Sequence, residues 1–548
     1  MNRAGCNVIL LRRPWLTLTC VALLLLAPSL IWGTLYSHSS GLNLNWADQF
    51  ARQVQAGAPY PRWLADSFLG LGSPTFYFYP PLPFWIDALV SVATLDAMSV
   101  SYRFAVTAVF VLWLSGVAMH RWLLAETGRP GPALIGAVLY MAAPYHLLDH
   151  YIRGAYAEFA AFAALPVALL GLRRIADGRV GGVPVLAAGY AALLLSHLPV
   201  ALLASVTVLP AYALWRVRQP AAVFGGLLGL ALAAVYLVPA LSLQHWISAA
   251  WLWSSFYRIE PWFFFTPSLW PEVATMQLIV QAAVAYALFA VAIVLQARGL
   301  SFWPVLCLVC LALVSGLVPW FWRLPELSKV QFPWRLMTVV EFALVTALCS
   351  TDFSQRLRPA FALMVVAVLS LSLAVFLGGR YTAEAIEAAQ PYMPLPRLEP
   401  KEYLPNGLPN DDLGRVLHGN EKILREASSA PLIACMPEPR LCKATEGPFG
   451  TLTIDIDADR ATHVVLRRFF FPAWRLEGGP PLAPSTPLRL VSFEVPGGRS
   501  TARLERVALP EEQWGWAISG AALIVWLVLL ARSTKGGIDL RGAIRPLR

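Results

Sequence analysis

The sequence predicts a mainly α polytopic membrane protein, with about twelve transmembrane helices and a small exported β-sandwich domain. Of its 548 residues, 57% are hydrophobic and only 14% are charged, and the mean hydropathy is +0.59. Soluble domains ordinarily carry about 25% charged residues. Long apolar runs fill most of the chain, and one polar stretch towards the C-terminus alternates as strands do. These features exclude a water-soluble enzyme, a disordered chain and a collagen-like chain.

The apolar runs are long enough to cross a bilayer, which takes about 20 helical residues. We interpret the first run, which follows Arg12 and Arg13, as an uncleaved helix because it is longer than the core of a signal peptide. The segment 82–98 is apolar but short and contains Asp87 and Asp96, so we assign it to the membrane surface. The predicted spanning helices are 15–36, 102–124, 132–148, 158–172, 182–198, 199–215, 221–240, 277–297, 302–320, 335–351, 359–379 and 513–532.

The distribution of charge predicts the orientation. The net charge is +10, and about 18 of the 42 basic residues fall in the segments that this helix assignment places in the cytoplasm, with about four acidic residues. Cytoplasmic loops carry such an excess of Lys and Arg. The acidic residues collect in the opposite loops. Because the basic residues follow the topology, nucleic acid is not an expected partner, and we expect a bacterial inner-membrane protein with both termini inside.

This topology divides the chain into three parts. Residues 1–379 form a transmembrane domain with two polar loops on its outer face, 37–101 and 149–158. Residues 380–512 form a periplasmic β-rich domain, and residues 513–548 form a last helix and a basic cytoplasmic tail.

The exported part carries the strand signals. Apolar and polar residues alternate in 451–457, 463–471, 488–495 and 501–509, and Gly-Gly pairs mark turns between them. The aromatic run that ends this region's second strand has two interpretations, a strand core, which we favour, or a surface that stacks on sugars. Cys435 and Cys442 lack His partners at zinc spacing, and an exported location favours a disulfide between them.

The first outer loop carries candidate functional residues directly after the first helix. Asp48 lies in the first part of this long loop, which also contains Tyr60 and Arg62. One alternative is an amphipathic interfacial helix with an aromatic belt, which needs no function.

The second outer loop concentrates titratable groups in one short stretch, namely His146, Asp149, Arg153 and Glu158. Asp149 and Arg153 are four residues apart, so one interpretation is that they pair with each other on a helix. The same set offers ligands for a divalent cation, and whether a metal binds is left open.

Three further side chains follow at later outer-face positions: His197, Arg258 and Arg335. His197 at a helix end is typical of a core histidine. Arg335 opens a helix, where an anion is favoured by the helix dipole and by the guanidinium itself. The alternative for Arg335 is an anchor whose charge reaches the membrane surface.

An ordered set of motifs carries a resemblance. The stretches GLGSPTFYFYPPLPFW, PYHLLDHYIRGAYAEFAAF, SHLPVALL and QFPWRLM, with Asp48 and the step YPRW, resemble the bacterial 6-pyruvoyl-tetrahydropterin-synthase-related membrane proteins. The architecture resembles the GT-C class of membrane glycosyltransferases, which use polyprenyl-phosphate sugars. The segment FPAWRLEGG resembles the outer β-domain of YfhO-like proteins. Nothing resembles the soluble active site of a pterin synthase.

The resemblance implies a glycosyltransferase that uses a lipid-linked sugar donor and an envelope glycan, lipid or protein acceptor. It implies that Asp48 is the catalytic carboxylate residue of the first loop and that Asp149 or Glu158 is the catalytic carboxylate residue of the second. We assign phosphate contact to Arg335 and then Arg258. The expected substrate-binding group is completed by Arg153, Arg62, Tyr60, His146 and His197.

Two other classes of function remain as alternatives. A transporter or lipid flippase predicts a deep two-sided cavity and repeated, broken helices. A non-catalytic envelope-assembly scaffold predicts that the outer-face acids are replaceable and that the exported domain is essential.

Overall fold

The computed structural model describes residues 13–253, 258–264, 266, 274–353, 357–389, 399–408 and 421–535. A helical domain occupies the chain as far as Ala389. A domain of antiparallel strands follows, and a long helix, Pro510–Lys535, ends the described chain.

The helical domain reproduces the predicted apolar segments, each of which is helical over most of its length. Breaks at Leu26, Ala142 and Ala233 divide several of them into shorter helices. The α-helices are Pro14–Leu25, Ala27–Trp32, Ser40–Gln55, Ser67–Gly70, Thr75–Phe78, Leu82–Ala93, Val100–Thr127, Pro130–Met141, Pro144–Leu148, Tyr156–Ala176, Gly182–Ser196, Leu198–Val206, Val208–Tyr212, Pro220–Leu232, Ala234–Ser242, Ala274–Arg298, Phe302–Val314, Pro319–Trp322, Met337–Cys349 and Arg358–Ala389.

Within the described residues, seven helices are long and apolar enough to cross a membrane: Val100–Thr127, Pro130–Arg153, Tyr156–Ala176, Leu198–Val217, Ala274–Arg298, Ala362–Ala385 and Pro510–Ser533. A bent pair, Pro220–Leu232 with Ala234–Ser242, meets at 70° and makes an eighth if it is one span. The shorter apolar helix Leu82–Ala93 has 12 residues, which is about 18 Å of helix against a hydrocarbon layer of about 30 Å. The protein is therefore polytopic, while a count of twelve spans stays a prediction.

The first loop, residues 37–101, is ordered and packed. It opens with the helix Ser40–Gln55, here called the loop helix, which buries Trp46 and Phe50 on one face. These rings pack against Phe76, 6.1 and 4.7 Å away between ring centroids. The expected amphipathic helix thus buries its apolar face in protein.

The β-domain, residues 433–506, consists of two four-stranded antiparallel sheets, ordered β1-β4-β7-β6 and β2-β3-β8-β5. Alternate residues of β3 and β4 are buried, as in a sandwich. The strands are β1 Ile433–Met436, β2 Leu441–Glu446, β3 Leu452–Ala458, β4 Thr462–Phe469, β5 Trp474–Glu477, β6 Ala483–Pro484, β7 Leu490–Val495 and β8 Gly498–Arg506.

A disulfide between Cys435 on β1 and Cys442 on β2 links the two sheets. The aromatic run at the end of β4 lies inside the domain, since Phe469 and Phe471 are 2% and 1% exposed and Trp474 is 5% exposed. These rings form strand core, the interpretation that the sequence favours.

The first loop and the β-domain share one apolar core. Trp63 lies 5.1 Å from Trp474, and Phe68 lies 6.0 Å from Phe469, between ring centroids. The Phe469 N–H donates to the carbonyl of Leu71 at 2.8 Å. The two parts therefore meet along a packed interface, and this interface positions the candidate site.

Candidate functional site

A cluster of buried charges lies where the helix Pro144–Leu148 passes through one π-helical turn, Asp149–Arg153, into the helix Tyr156–Ala176. Arg153 Nη1 lies 2.5 Å from Asp149 Oδ1 and 2.7 Å from Glu158 Oε2. Both carboxylates are fully buried. The expected Asp149–Arg153 pair thus forms and is extended by Glu158.

Glu158 is the centre of this cluster. The Tyr145 hydroxyl donates to its Oε1, and Arg153 and Arg335 approach its Oε2, with Arg335 Nε at 3.4 Å. His197 Nε2 lies 3.9 Å from the same oxygen. Charges buried in a membrane protein are costly unless paired, and they mark functional sites. The structure therefore brings together five of the residues that the sequence singles out: Asp149, Arg153, Glu158, His197 and Arg335.

Two polar atoms in the cluster have no hydrogen-bond partner among the described residues. They are Asp149 Oδ2 and Arg335 Nε. Arg335 is held in place from its other end, because its Nη1 donates to the Val330 carbonyl and, at 3.1 Å, to Gln331 Oε1. A fixed guanidinium with a spare N–H is suited to binding an anion.

Glu341, which was not predicted from the sequence, contacts the backbone of the helix that carries Tyr145 and His146. Its carboxylate accepts the backbone N–H groups of Tyr145 and His146, at 2.7 and 3.2 Å. The sequence does contain an indication of this residue, because Glu341 is a single carboxylate within the apolar helix Met337–Cys349, and a charge in such a helix marks a functional position. His146 itself stacks on Phe162 with ring centroids 3.9 Å apart, which gives it a packing role.

The loop helix starts beside this cluster. Asn43 Nδ2 donates to the Gly154 carbonyl at 3.0 Å. Gly154 has a positive φ of 61°, and a Cβ there would lie 2.3 Å from Ser37 Oγ, so a larger residue would push the two elements apart. The close approach fixes the start of the loop helix against the charged turn.

Asp48 lies farther along the same helix, outside the ion pairs around Glu158. Its Oδ2 is 3.1 Å from Arg52 Nε, and its side chain is 42% exposed. Arg52 also binds Asp66 at 2.8 Å. Asp48 is five residues beyond Asn43, about 7.5 Å along the helix axis.

A cleft of about 370 Å³ lies between the loop helix and the β-domain. The loop side contributes Gln49, Arg52 and Asp66, and the other side contributes residues of the β-domain. Through its pair with Arg52, Asp48 stands at the border of this cleft.

The remaining predicted site residues lie elsewhere. Arg62 is buried, pairs with Glu512 at 2.9 Å and lies 3.9 Å from the centroid of the Tyr60 ring. Arg258 is exposed. Glu512, at the start of the last helix, was also missed, since sequence gives no sign of a partner 450 positions away.

Possible metal ligands do not gather in the described part of the chain. No group of three or more His, Cys, Asp or Glu side chains among these residues is arranged to hold a metal ion. Arg153 occupies the space between the two second-loop carboxylates instead.

The comparison with known families agrees with the membrane architecture. Residues 76–379, more than half of the chain, match the family model described as the 6-pyruvoyl-tetrahydropterin synthase related domain, a membrane protein. The matched region contains the buried cluster and begins after Asp48. No curated protein matches the chain. The chain therefore belongs to the 6-pyruvoyl-tetrahydropterin synthase related family of membrane proteins.

Proposed function

We propose that this protein is a membrane glycosyltransferase, which moves a sugar from a polyprenyl-phosphate donor to an envelope glycan, lipid or protein. The reaction takes place at the periplasmic face of the bacterial inner membrane, with the β-domain on that side. The excess of basic residues in the opposite segments supports this orientation.

The observation that carries the proposal is the spare Nε donor of Arg335, buried 3.4 Å from Glu158. A leaving phosphate gains negative charge as the sugar departs, and fixed donors in a site without water stabilise that charge strongly. Arg335 and Arg153 provide two guanidinium groups within the helical domain, both paired with Glu158. Glu158 keeps both in position until the donor binds.

Asp48 supplies the base. Its carboxylate is half exposed and lies on the loop helix, five residues beyond Asn43, which contacts Gly154 of the charged turn. Asp48 takes the proton of the acceptor hydroxyl while the acceptor oxygen forms a bond to the anomeric carbon. The bond between that carbon and the phosphate oxygen breaks, and polyprenyl phosphate leaves. This single displacement inverts the anomeric centre.

A transfer assay tests the proposal. Purified protein in liposomes is given a panel of polyprenyl-phosphate sugars with labelled sugar, and the label transferred to envelope lipid or glycan is measured. We expect transfer from at least one donor and a loss of about 100-fold or more in Arg335→Gln. The matched control is Arg323→Gln, at an exposed arginine nearby in sequence. Transfer from no donor, or full transfer by Arg335→Gln, would contradict the proposal.

A lipid flippase or transporter is the second candidate, and one observation favours it. The helices Pro220–Leu232 and Ala234–Ser242 meet at 70°, and broken helices are typical of transporters. Movement of a labelled donor across the liposome bilayer without transfer of its sugar would support this candidate.

A further inference from the structure

We propose that the cleft between the loop helix and the β-domain is a binding site for an anionic saccharide, a sugar that carries a carboxylate or a phosphate. Its volume of about 370 Å³ lies within the range of small-molecule sites. Saccharide binding in this cleft does not depend on transfer activity. The role of the cleft as the acceptor site rests on the proposed function.

The anion-binding side of the cleft is built at an irregularity in β4. Leu466 pairs with Val491 and Phe469 pairs with Leu490, so Arg467 and Arg468 are inserted between two consecutive pairs. Such a bulge redirects side chains out of the regular alternation. Both arginines line the cleft as a result.

Arg468 is a prepared anion ligand. Its side chain is 2% exposed, and its Nε has no hydrogen-bond partner among the described residues. Its Nη2 lies 3.3 Å from Glu446, whose own side chain is 56% exposed. A buried guanidinium with an unused donor costs free energy that an incoming carboxylate or phosphate recovers.

Arg467 adds a positive charge with a fixed direction. Its Nη1 donates to the carbonyls of Ser428 and Ala430, at 3.1 and 3.2 Å. These acceptors are uncharged, so the charge of Arg467 is not neutralised by them. The cleft is lined by three arginines, counting Arg52, against two carboxylates, Asp66 and Glu446. Arg52 also pairs with Asp48 at the border, and Arg468 pairs with Glu446, so the uncompensated charge is that of Arg467, which has no carboxylate partner among the described residues. This charge favours an anionic ligand.

A short loop provides an aromatic surface for the sugar ring. Phe449 lies between Gly447 and Gly450, has a positive φ of 56° and is 39% exposed. A positive φ is rare for a phenylalanine and costs about 1–3 kcal/mol. Gly450 allows the loop to close on the site, because a Cβ there would lie 2.8 Å from Arg468 Nη1.

The opposite wall offers planar polar groups of the kind that bind sugar hydroxyls. Gln49 Oε1 accepts the backbone N–H of Asp66 at 2.9 Å, and Arg52 binds the Asp66 carboxylate. These bonds hold the three side chains in place. A saccharide on Phe449 thus has hydroxyl partners on the loop helix and an anion site on β4.

Calorimetry on the full chain in detergent tests the proposal with three probes: a glucuronic acid disaccharide, a glucose disaccharide and glucose 1-phosphate. We expect at least one of the two anionic sugars to bind at least tenfold more tightly than the glucose disaccharide. Arg468→Ala should weaken binding tenfold or more, and Phe449→Ala about fivefold. Arg475→Gln, at an exposed arginine on β5, is the matched control and should bind as the wild type does.

Three results would overturn the proposal. The first is that none of the sugars binds at millimolar concentration. The second is that Phe449→Ala, at a position that is 39% exposed, binds as tightly as the wild type. Inorganic phosphate that binds as tightly as glucose 1-phosphate would show an anion site with no saccharide recognition and would also overturn it. Asp48→Asn should retain binding even without transfer, so a failure of catalysis and a failure of this site are distinguishable.

Discussion

The guanidinium of Arg62 lies 2.9 Å from the carboxylate of Glu512, with the two side chains 1% and 4% exposed. The pair joins the first loop to the start of the last helix. Tyr77 donates to Glu512 at 2.7 Å, and Arg506 of β8 lies 3.2 Å from the same carboxylate. A single buried carboxylate thus links the first loop, the β-domain and the last helix.

Glu512→Gln should destabilise the protein by about 3–5 kcal/mol, because it leaves the buried charge of Arg62 without its partner. Thermal unfolding in detergent measures the loss. Glu511→Gln, at the neighbouring and more exposed position, is the control. Equal melting temperatures for the two variants would show that the pair does not hold these parts together.

Stability should fall as the pH rises from about 4.5 to about 7. Burial raises the pKa of Glu399, beside Ser67 and Trp46, from its ordinary 4.5 to about 7. The folded state then holds this proton more tightly than the unfolded chain, so the stabilisation is complete below pH 4.5 and is lost as the pH approaches 7. Melting temperatures at pH 5 and pH 8 should differ less in Glu399→Gln than in the wild type.

Glu477→Gln, at an exposed position on β5, is the control for this pH dependence and should keep the wild-type difference. Glu402, whose pKa burial also raises to about 7, contributes in the same direction. A wild-type pH dependence in the double variant Glu399→Gln with Glu402→Gln would show that other groups are responsible.

Reduction of the Cys435–Cys442 disulfide should lower the stability of the β-domain by about 2 kcal/mol, since the bond closes a short loop with a sequence separation of 7. Thermal unfolding with and without a reductant measures this. The double variant Cys435→Ser with Cys442→Ser should unfold at the temperature of the reduced wild type and should not respond to reductant. A response of the variant equal to that of the wild type would assign the effect elsewhere.

The first loop should face the cell exterior. Ala56 is exposed just after the loop helix, so Ala56→Cys should react with a membrane-impermeant maleimide added to intact spheroplasts, in a background with Cys6 and Cys20 replaced by serine. Ser533→Cys, in the last turn of the final helix, should react only after the membrane is opened. The reverse pattern would invert the topology.

Sequence predicted the elements better than their assembly. Hydropathy located the helices, and alternation located β3, β4, β7 and β8, because burial of apolar side chains is a local pattern. The spacing of Asp149 and Arg153 indicated their ion pair for the same reason. The approach of Arg335 to Glu158 depends on tertiary packing, which spacing does not encode.

The charged turn lies beside the start of the loop helix, at Asn43, and Asp48 lies five residues farther along that helix. Their separation follows from the contact of Asn43 with Gly154, which no periodicity predicts. The cleft at Arg467 and Arg468 escaped prediction because a break in strand pairing leaves no mark in the pattern of alternation.

The most direct test of the central claim is transfer by Asp48→Asn in liposomes with labelled polyprenyl-phosphate sugar. Asp48 is half exposed, so the variant should keep the wild-type melting temperature while transfer falls by about 10²–10⁴-fold. Glu477→Gln, at an exposed carboxylate on β5 outside the cleft, should retain the transfer. Wild-type transfer by Asp48→Asn would contradict the assignment of Asp48 as the base.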